Sequence, residues 1–476
     1  MKILITGSTG YIGHRLAHRL ADEGKDVRLF VRNRFKTDNI LRSKCEIAEG
    51  GTFDTDSLDR ALKGVHTAYY LIHSMGKTGG FEHTDIASAE NFRRACVNNG
   101  VKKIIYLGGL GVKNTASRHL LSRIETGETL SSEPDKIDVL WFRAGVIIGS
   151  GSASFEIIRN ISQKLPVMIT PKWVRTLTEP IGVDDVISYL AKAADENIKG
   201  SRIIDIGAEV MSFKDMMNQA AEVMGLKRYI IPTPFLTPSL SSYWLILFTP
   251  VTYSIASALI EGLSSETVKT NGNATELFPD ITPVSYRESF RMALREIEDH
   301  QVISSWCDSS GGRQCDVPLV HDISIAVYKD RYIRNIGDRT PEDAFTAVKS
   351  LGGRNGWGTY NLLWRIRGLI DKLSGGYGLN RGRRDSADLR IGDTLDFWKV
   401  ADLAEGRRLL LQAQMKVPGR AWLEFQVIDT DLIMTAFFYP HGISGRLYWY
   451  AMLPFHKVIF PAVMREILSQ TGFKTE

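Results

Sequence analysis

The sequence contains few cysteines, and their positions form no recognisable metal or redox motif. The 476 residues include four, Cys45, Cys96, Cys307 and Cys315, with no CxxC pair and no spacing typical of a zinc site. This pattern favours reduced thiols in a cytoplasmic protein. The chain has no internal repeat or low-complexity tract, and its start, MKILITGSTG, runs directly into a strand, so no cleavable signal peptide is expected.

A strong charge of one sign is also missing. Lys and Arg number 59 against 54 Asp and Glu, which leaves a formal charge of +5 and gives no reason to expect a nucleic-acid partner. With 43% hydrophobic and 24% charged residues, the composition is that of a globular protein. It excludes a disordered chain, a collagen and a coiled coil.

One long stretch, Tyr229–Ile260, has no charged side chain at all. Four prolines divide it into helical pieces of about ten residues, whereas a span across a bilayer needs about twenty. A transmembrane helix is therefore not expected. Three alternatives stay open: a buried pair of helices, a lid, or a patch at the membrane surface, which leaves peripheral contact with the inner membrane open for a cytoplasmic protein.

The first part of the chain, residues 1–300, alternates strand and helix patterns. Such alternation predicts an α/β domain with a doubly wound parallel sheet, helices on both faces and a small substrate subdomain. The predicted strands are Lys2–Thr6, Val27–Val31, Val65–Ile72, Lys103–Leu107, Val139–Ile148 and Arg202–Ile206, and the predicted helices include Asp85–Asn99 and Val183–Ala194.

The pattern changes after a small, polar and glycine-rich segment, residues 301–318, which predicts a linker. Residues 319–476 contain extended runs joined by short turns, which predicts an α+β domain with an antiparallel sheet. Its predicted elements are the strands His321–Tyr332, Thr394–Ala401, Arg408–Lys416, Arg420–Ile428 and Asp431–Phe438, and the helices Pro341–Ser350, Tyr360–Leu373 and Phe455–Leu468.

A glycine-rich turn directly follows the first predicted strand and opens a helix. In this context the glycines allow a tight turn and a close approach to a pyrophosphate, which the free N–H groups of the helix start attract. The turn predicts a Rossmann-type dinucleotide site formed by Gly7, Ser8, Thr9, Gly10, Tyr11, Ile12 and Gly13.

The end of the second strand indicates which dinucleotide binds. An NAD site normally has an acidic residue there for the ribose hydroxyl. This sequence has no carboxylate between residues 28 and 36, but it has Arg32 and Arg34, whose guanidinium groups match the oxygens of a 2′-phosphate. We therefore predict NADP(H) as the preferred cofactor, with NAD(H) as the second choice; a solvated basic loop is the alternative interpretation.

Several segments resemble the atypical short-chain dehydrogenases/reductases, in particular their NmrA-like and complex-I-subunit-like branches. They include TGSTGYIG at the turn, YLIHSMG after the fourth strand, IIYLGGLG at the fifth, FRAGVIIG at the sixth, and EPIGVDDV. The segments PVMITPKWVR and MKVPGRAWLEF resemble a bacterial oxidoreductase group in which the Rossmann domain is fused to a carboxy-terminal domain of unknown function.

The resemblance implies further contacts with the cofactor. Thr52 and Phe53 would flank the adenine, although the family usually has an aspartate where this chain has Thr52. His73 and Ser74 would meet the cofactor at the end of the fourth strand, and Ala144, Gly145 and Val146 would lie near the nicotinamide.

The catalytic residues of that superfamily are replaced in this chain. The serine position falls at Gly108 or Gly109, and the Tyr-x-x-x-Lys position falls at His119 and Arg123. A spacing of four places His119 and Arg123 on one helix face, so His119 is a candidate proton donor and Arg123 a candidate ribose ligand. The alternative is a domain that binds the cofactor without turnover.

The carboxy-terminal domain resembles a helix-grip module of the START or polyketide-cyclase type, which implies an apolar cavity between sheet and last helix. Two functions stay open. One is an NADP(H)-dependent oxidoreductase that reduces a carbonyl or quinone-like apolar substrate. The other is a non-catalytic NAD(P)-binding sensor or assembly protein. A metal cofactor and a nucleic-acid partner are not expected.

Overall fold

The computed structural model describes most of the chain: residues 1–34, 37–72, 81–195, 198–233, 261–262, 265–299, 302–304, 323, 326–352, 356–357, 364, 366–369, 389–415 and 417–469. The chain divides into two compact units, Met1–Arg313 and Gln314–Glu476. Most of the predicted linker and of the uncharged stretch lies outside the described residues.

The first unit is built on a parallel sheet of seven strands with the order β11-β6-β5-β4-β1-β2-β3. Its strands are β1 (Lys2–Thr6), β2 (Asp26–Val31), β3 (Glu46–Glu49), β4 (Thr67–Tyr70), β5 (Lys103–Gly109), β6 (Asp138–Ala144), β7 (Ile147–Ile148), β8 (Val167–Pro171), β9 (Leu177–Thr178), β10 (Ile181–Gly182), β11 (Arg202–Ile206), β12 (Met211–Ser212) and β13 (Tyr229–Thr233). The predicted doubly wound fold is confirmed.

Helices cover both faces of this sheet. They are α1 (Tyr11–Asp22), α2 (Asn39–Lys44), α3 (Thr55–Leu62), α4 (Phe81–Asn98), α5 (Arg118–Leu130), α6 (Ala153–Lys164), α7 (Val183–Asp195), α8 (Phe213–Val223), α9 (Asn273–Leu277) and α10 (Tyr286–Glu298). Because successive strand residues point to opposite faces, Ile3 and Ile5 pack in one apolar cluster with helices α1 and α7, and Leu4 packs in another with α3, α4 and α5.

The predicted strand Val139–Ile148 is wrong in its length. Strand β6 ends at Ala144, and β7 pairs with β10 outside the main sheet. The chain turns at Gly145, where an added Cβ would lie 2.4 Å from the carbonyl oxygen of Glu179. Beyond this turn, α6, α8 and α10 enclose a separate apolar cluster that contains Phe155 and Phe290.

The second unit has an antiparallel sheet of six strands with the order β14-β19-β18-β17-β16-β15, which confirms the predicted sheet type. Its strands are β14 (Tyr328–Asn335), β15 (Thr394–Leu395), β16 (Trp398–Ala404), β17 (Arg408–Ala413), β18 (Gly419–Ile428) and β19 (Asp431–Pro440), and its helices are α11 (Pro341–Lys349) and α12 (Gly442–Ser469).

Three predicted elements of this unit differ in the structure. The strand predicted as His321–Tyr332 begins at Tyr328 and extends to Asn335. The run Thr394–Ala401 is a tight hairpin, because Asp396 adopts a φ of 56° and reverses the chain. The last helix begins at Gly442 rather than Phe455 and contains Pro454 and Pro461. Although proline weakens a helix, burial of Trp449 and Phe460 against the sheet stabilises this one. Within the described part of the chain, no helix is long and apolar enough to cross a membrane.

Candidate nicotinamide dinucleotide site

The carboxyl ends of the central strands form a continuous edge that brings the predicted cofactor residues together. Parallel registers align Thr6 with Phe30 and Gly109 with Ala144. The glycine turn follows β1 in the middle of this edge, Arg32 and Arg34 follow β2 on one side, and Gly108 lies in the last two residues of β5 on the other. This is the place where doubly wound sheets bind nucleotides.

Close packing explains the glycines of the turn. Gly7 has a φ of 68°, and a Cβ on it would lie 2.5 Å from the carbonyl oxygen of Leu71. A Cβ on Gly13 would lie 2.2 Å from the carbonyl oxygen of Gly7. The N–H of Gly10 donates to that same oxygen at 2.9 Å. Strand, turn and helix are therefore locked together through backbone atoms that leave no room for side chains.

The turn presents donors that suit a pyrophosphate. Gly10 is the N-cap of α1 and provides no side-chain oxygen, so the first N–H groups of the helix have no side-chain cap. Ser8 is 2% exposed, and among the described residues no group hydrogen-bonds to its hydroxyl. An unsatisfied buried hydroxyl next to an uncapped helix start fits an anionic ligand.

Arg32 and Arg34 are both exposed where β2 ends. The N–H of Gly50 donates to the carbonyl oxygen of Val31 at 2.9 Å, and the N–H of Arg34 donates to Glu49 Oε1 at 3.1 Å. These bonds hold the end of β3 beside the arginine loop. Both arginines are therefore exposed residues on an anchored backbone at the predicted 2′-phosphate position.

The two residues predicted to flank the adenine differ in their surroundings. Thr52 is 8% exposed, and its hydroxyl accepts a hydrogen bond from Ser88 Oγ at 2.7 Å, so it points inward. Phe53 is 60% exposed and offers an aromatic face at the surface. His73 and Ser74 lie outside the described residues.

On the other side of the turn, Ala144, Gly145 and Val146 follow β6. Val146 accepts a hydrogen bond at its carbonyl oxygen from the N–H of Ile181, so Gly145 is held against the Glu179–Pro180 segment. Gly108 packs on the indole of Trp141, which would lie 2.7 Å from an added Cβ. The backbone at the predicted nicotinamide position thus packs closely against Glu179 and Trp141.

His119 and Arg123 lie one turn apart in α5, as the spacing predicts. Both side chains are half-buried, and a Cβ on Gly109 would lie 3.8 Å from Arg123 Cδ, so the arginine runs along the end of β5. Burial lowers the pKa of His119 below its usual value; the charge of Glu261 opposes this shift, and that of Arg123 adds to it.

Two carboxylates near His119 were missed by the sequence analysis. Glu261 accepts a hydrogen bond at Oε1 from the N–H of Arg118 at 3.4 Å, at the start of α5. Asp85 Oδ2 accepts from Ser122 Oγ at 3.3 Å. The only available signal was that Glu261 is the first charged residue after Tyr229–Ile260.

A buried polar cluster supports the first turn of α1. The guanidinium of Arg15 donates to Ser150 Oγ at 2.9 Å and pairs with Glu296 at 2.9 Å. Ser304 Oγ donates to the carbonyl oxygen of Tyr11 at 3.0 Å. The helix that carries the glycine turn is therefore tied to α10 and to the last residues of the unit.

Two parts of the chain match known protein families. Residues 7–131 match the family described as NAD(P)H-binding, and residues 323–463 match DUF2867, a family described as of unknown function. The first match covers the glycine turn, the arginine loop and α5. The first unit therefore contains an NAD(P)H-binding domain of the Rossmann type, and the predicted nicotinamide dinucleotide cofactor is confirmed.

The chain is similar to reductases and epimerases. A (4-alkanoyl-5-oxo-2,5-dihydrofuran-3-yl)methyl phosphate reductase of Streptomyces griseus is 28% identical over 121 residues, which are 25% of this chain and 39% of the reductase. A UDP-glucose 4-epimerase of Rickettsia typhi is 25% identical over 216 residues, which are 39% of this chain and 61% of the epimerase. The chain thus spans less than two thirds of the length of either relative.

The solved structures that resemble the chain show the fold of the first unit. The triphenylmethane reductase of Citrobacter sp. complexed with NADP(H) has a TM-score of 0.50 and 18% identity, covering 62% of this chain and 100% of the reductase. The first unit therefore has an NAD(P)-binding fold, which it shares with reductases and epimerases.

Proposed function

We propose that the protein is an NADPH-dependent oxidoreductase that reduces a carbonyl or quinone-like group of an apolar substrate. The observation that carries this proposal is the position of His119: it is half-buried, lies beside a carboxylate, and sits on the helix that follows β5 at the nucleotide edge. A side chain that can donate a proton therefore lies near the predicted nicotinamide position.

His119 would act as the proton donor. When bound, the nicotinamide would supply the hydride for the carbonyl carbon, and the carbonyl oxygen would need one proton, which His119 is placed to donate. An imidazolium is the better donor, and a neutral imidazole donates weakly. The carboxylate of Glu261 favours the imidazolium form of His119, whereas burial disfavours it. Glu261 would therefore help His119 to take up a new proton from solvent after each turnover.

Arg123 would position the cofactor. Its backbone carbonyl accepts a hydrogen bond from Tyr106 Oη at 2.9 Å, which fixes this turn of α5 against β5. Its guanidinium lies along Gly109 and offers several donors to ribose hydroxyls. In this arrangement Arg123 binds and orients, and His119 moves the proton.

The uncharged stretch Tyr229–Ile260, most of which lies outside the described residues, is proposed as a substrate wall on the basis of its composition. Glu261, the residue that follows it, accepts a hydrogen bond from the N–H of Arg118, the first residue of α5. A wall without charged side chains suits a substrate with a hydrophobic body and one reactive polar group. The second unit, in which α12 packs across an antiparallel sheet, would take the helix-grip role of binding or presenting this apolar molecule.

The role of His119 predicts a specific kinetic result. In His119→Ala we expect kcat for NADPH oxidation to fall by about 100-fold or more, the usual contribution of a general acid. The Kd for NADPH should stay within about twofold, because His119 does not hold the phosphates. The assay is a panel of quinones and aldehydes with increasing alkyl length.

The pH profile provides the control for this prediction. The rate should fall as the pH rises through the pKa of His119, because the imidazolium donor is then lost. Burial lowers this pKa below its usual value, so the fall should lie at correspondingly lower pH. Glu261→Gln removes the charge that raises the pKa and should move the falling limb to lower pH. Unchanged turnover in His119→Ala would remove it from the mechanism.

A second candidate function is a non-catalytic NAD(P)H sensor. It is favoured by the glycine, Gly108 or Gly109, at the position of the superfamily serine, and by His119 and Arg123 at the positions of its Tyr-x-x-x-Lys pair. The same panel separates the two functions. Tight NADPH binding without turnover of any quinone or aldehyde would support the sensor.

The arginine loop predicts the cofactor preference. In Arg32→Ala/Arg34→Ala we expect the Kd for NADPH to rise by about 10- to 100-fold, because charge-assisted hydrogen bonds to a phosphate contribute roughly 1.5–3 kcal/mol. The Kd for NADH should hardly change. Calorimetric titration of both cofactors measures the difference.

A matched control for the loop is Arg60→Ala, which removes an exposed arginine on α3. It should leave both dissociation constants unchanged. An equal loss of NADPH and NADH affinity in the double variant would show that the loop does not read the 2′-phosphate.

A further inference from the structure

Two histidines of α1 and one aspartate converge on a single point. His14 Nε2 lies 2.7 Å and His18 Nε2 lies 2.8 Å from the same carboxylate oxygen, Asp38 Oδ2. The two imidazoles are one helical turn apart, with ring centroids 4.8 Å apart and planes at 75°. Among the described residues, these three form the group of His, Cys, Asp or Glu side chains whose ligand atoms lie close enough together to bind one metal ion.

The carboxylate of Asp38 is fixed in this position by its own helix. Asp38 is the N-cap of α2, and its Oδ1 accepts a hydrogen bond from the N–H of Leu41 at 2.9 Å. This bond leaves Oδ2 to face the two imidazoles. Carboxylates that bind a metal through one oxygen are usually hydrogen-bonded to a neighbouring group. The bond from Leu41 to Oδ1 provides this support for Asp38.

We propose that His14, His18 and Asp38 form a Zn²⁺ site with an open fourth position. Two imidazole nitrogens and one carboxylate oxygen are a donor set typical of zinc, with bonds of about 2.0–2.2 Å and a water as the fourth ligand. The metal takes no part in hydride transfer, and zinc binding is testable by itself; only its link to the dinucleotide site rests on the proposed function.

The present spacing of the ligand atoms requires only a small adjustment. Ligand atoms around a tetrahedral ion with such bonds lie about 3.3 Å apart, whereas the two N···O separations are 2.7 and 2.8 Å. Each N···O contact must lengthen by about half an ångström to accommodate the ion, and all three ligand atoms lie within 4.8 Å of one another. The side chains of His14, His18 and Asp38 are 10%, 14% and 7% exposed, so solvent reaches the cluster from one side.

The position of the site gives it a structural role. His14 lies in the first turns of α1, whose N-terminus carries the glycine turn, and Asp38 lies four positions beyond Arg34. A bound Zn²⁺ therefore clamps the segment after the arginine loop to the cofactor-binding helix. The clamp holds two parts of the predicted dinucleotide site at a fixed distance.

The test is zinc binding to the full chain after chelator treatment and dialysis. We expect the parent protein to bind one equivalent of Zn²⁺ by calorimetry and elemental analysis. His18→Gln and Asp38→Asn should raise the Kd for Zn²⁺ by more than about 100-fold, since loss of an outer-sphere partner alone already costs 10- to 100-fold. His66→Ala, which removes an exposed histidine elsewhere, should leave binding unchanged.

Co²⁺ substitution keeps the test valid if a variant folds poorly. Co²⁺ in the parent protein should show the visible bands of a tetrahedral ion without the near-ultraviolet charge-transfer band of a thiolate. Either the absence of binding at micromolar Zn²⁺, or full binding by a folded His18→Gln protein, or a thiolate band, overturns the proposal; the cluster is then a hydrogen-bonded triad only.

Discussion

Gly13→Ala is expected to raise the Kd for NADPH by about 100-fold or more. The new methyl group would lie 2.2 Å from the carbonyl oxygen of Gly7 and 3.0 Å from Ser8 Cα, and both are backbone atoms with no rotamer to change. The turn must therefore open or α1 must move. Either change displaces the N–H groups and the Ser8 hydroxyl that are predicted to bind the pyrophosphate. Calorimetric titration with NADPH and NADH measures the loss.

The matched control is Gly272→Ala, because no atom lies within 4 Å of the Cβ position of Gly272. This variant should bind both cofactors like the parent protein. Circular dichroism of Gly13→Ala checks that the sheet persists. If a folded Gly13→Ala protein bound NADPH with the parent Kd, the glycine turn would not be the pyrophosphate site.

Asp205→Ala is expected to destabilise the first unit by about 3–5 kcal/mol, the usual cost of leaving a buried charge without its partner. Asp205 is fully buried on β11 and directly opposite Arg143 on β6. Its two oxygens accept from Arg143 Nε at 2.6 Å and Nη2 at 2.8 Å. Thr270 adds a backbone N–H at 2.8 Å.

Urea unfolding of the full chain measures this effect as a shift of the transition of the first unit. The control is Asp280→Ala, which breaks a pair with Lys192 in which the aspartate is 79% exposed; it should cost no more than about 1 kcal/mol. Arg143→Met combined with Asp205→Leu should recover part of the loss. A shift in Asp205→Ala no larger than that in Asp280→Ala would contradict the prediction.

The local patterns of the first unit were sufficient to predict its parallel sheet and the position of the glycine turn between β1 and α1. Strand β1 has the predicted bounds because a short apolar run before a glycine turn has few alternatives. The His119–Arg123 spacing was also predictable, since four residues always return to one face of a helix. These patterns could not predict which side chains lie near His119. Glu261 is separated from it by 142 positions and reaches it only through tertiary packing.

The errors have a common physical cause, which is that tertiary contacts outweigh local preferences. Asp396 adopts a left-handed backbone conformation that non-glycine residues rarely take, and its carboxylate accepts a hydrogen bond from Trp357 Nε1 at 2.7 Å. The helix across Pro454 persists because residues on either side of it are buried. The His14–His18–Asp38 cluster joins two helices, so neither segment alone reveals it.

The hydrogen bond from Ser304 to Tyr11 has a mechanical consequence. Ser304 is fully buried, although it lies 293 positions along the chain from Tyr11. Moving the first turn of α1 would therefore either break this bond or carry the backbone at Ser304 with it. The position of α1 is thus constrained by a residue distant in sequence, through a contact that does not involve the sheet.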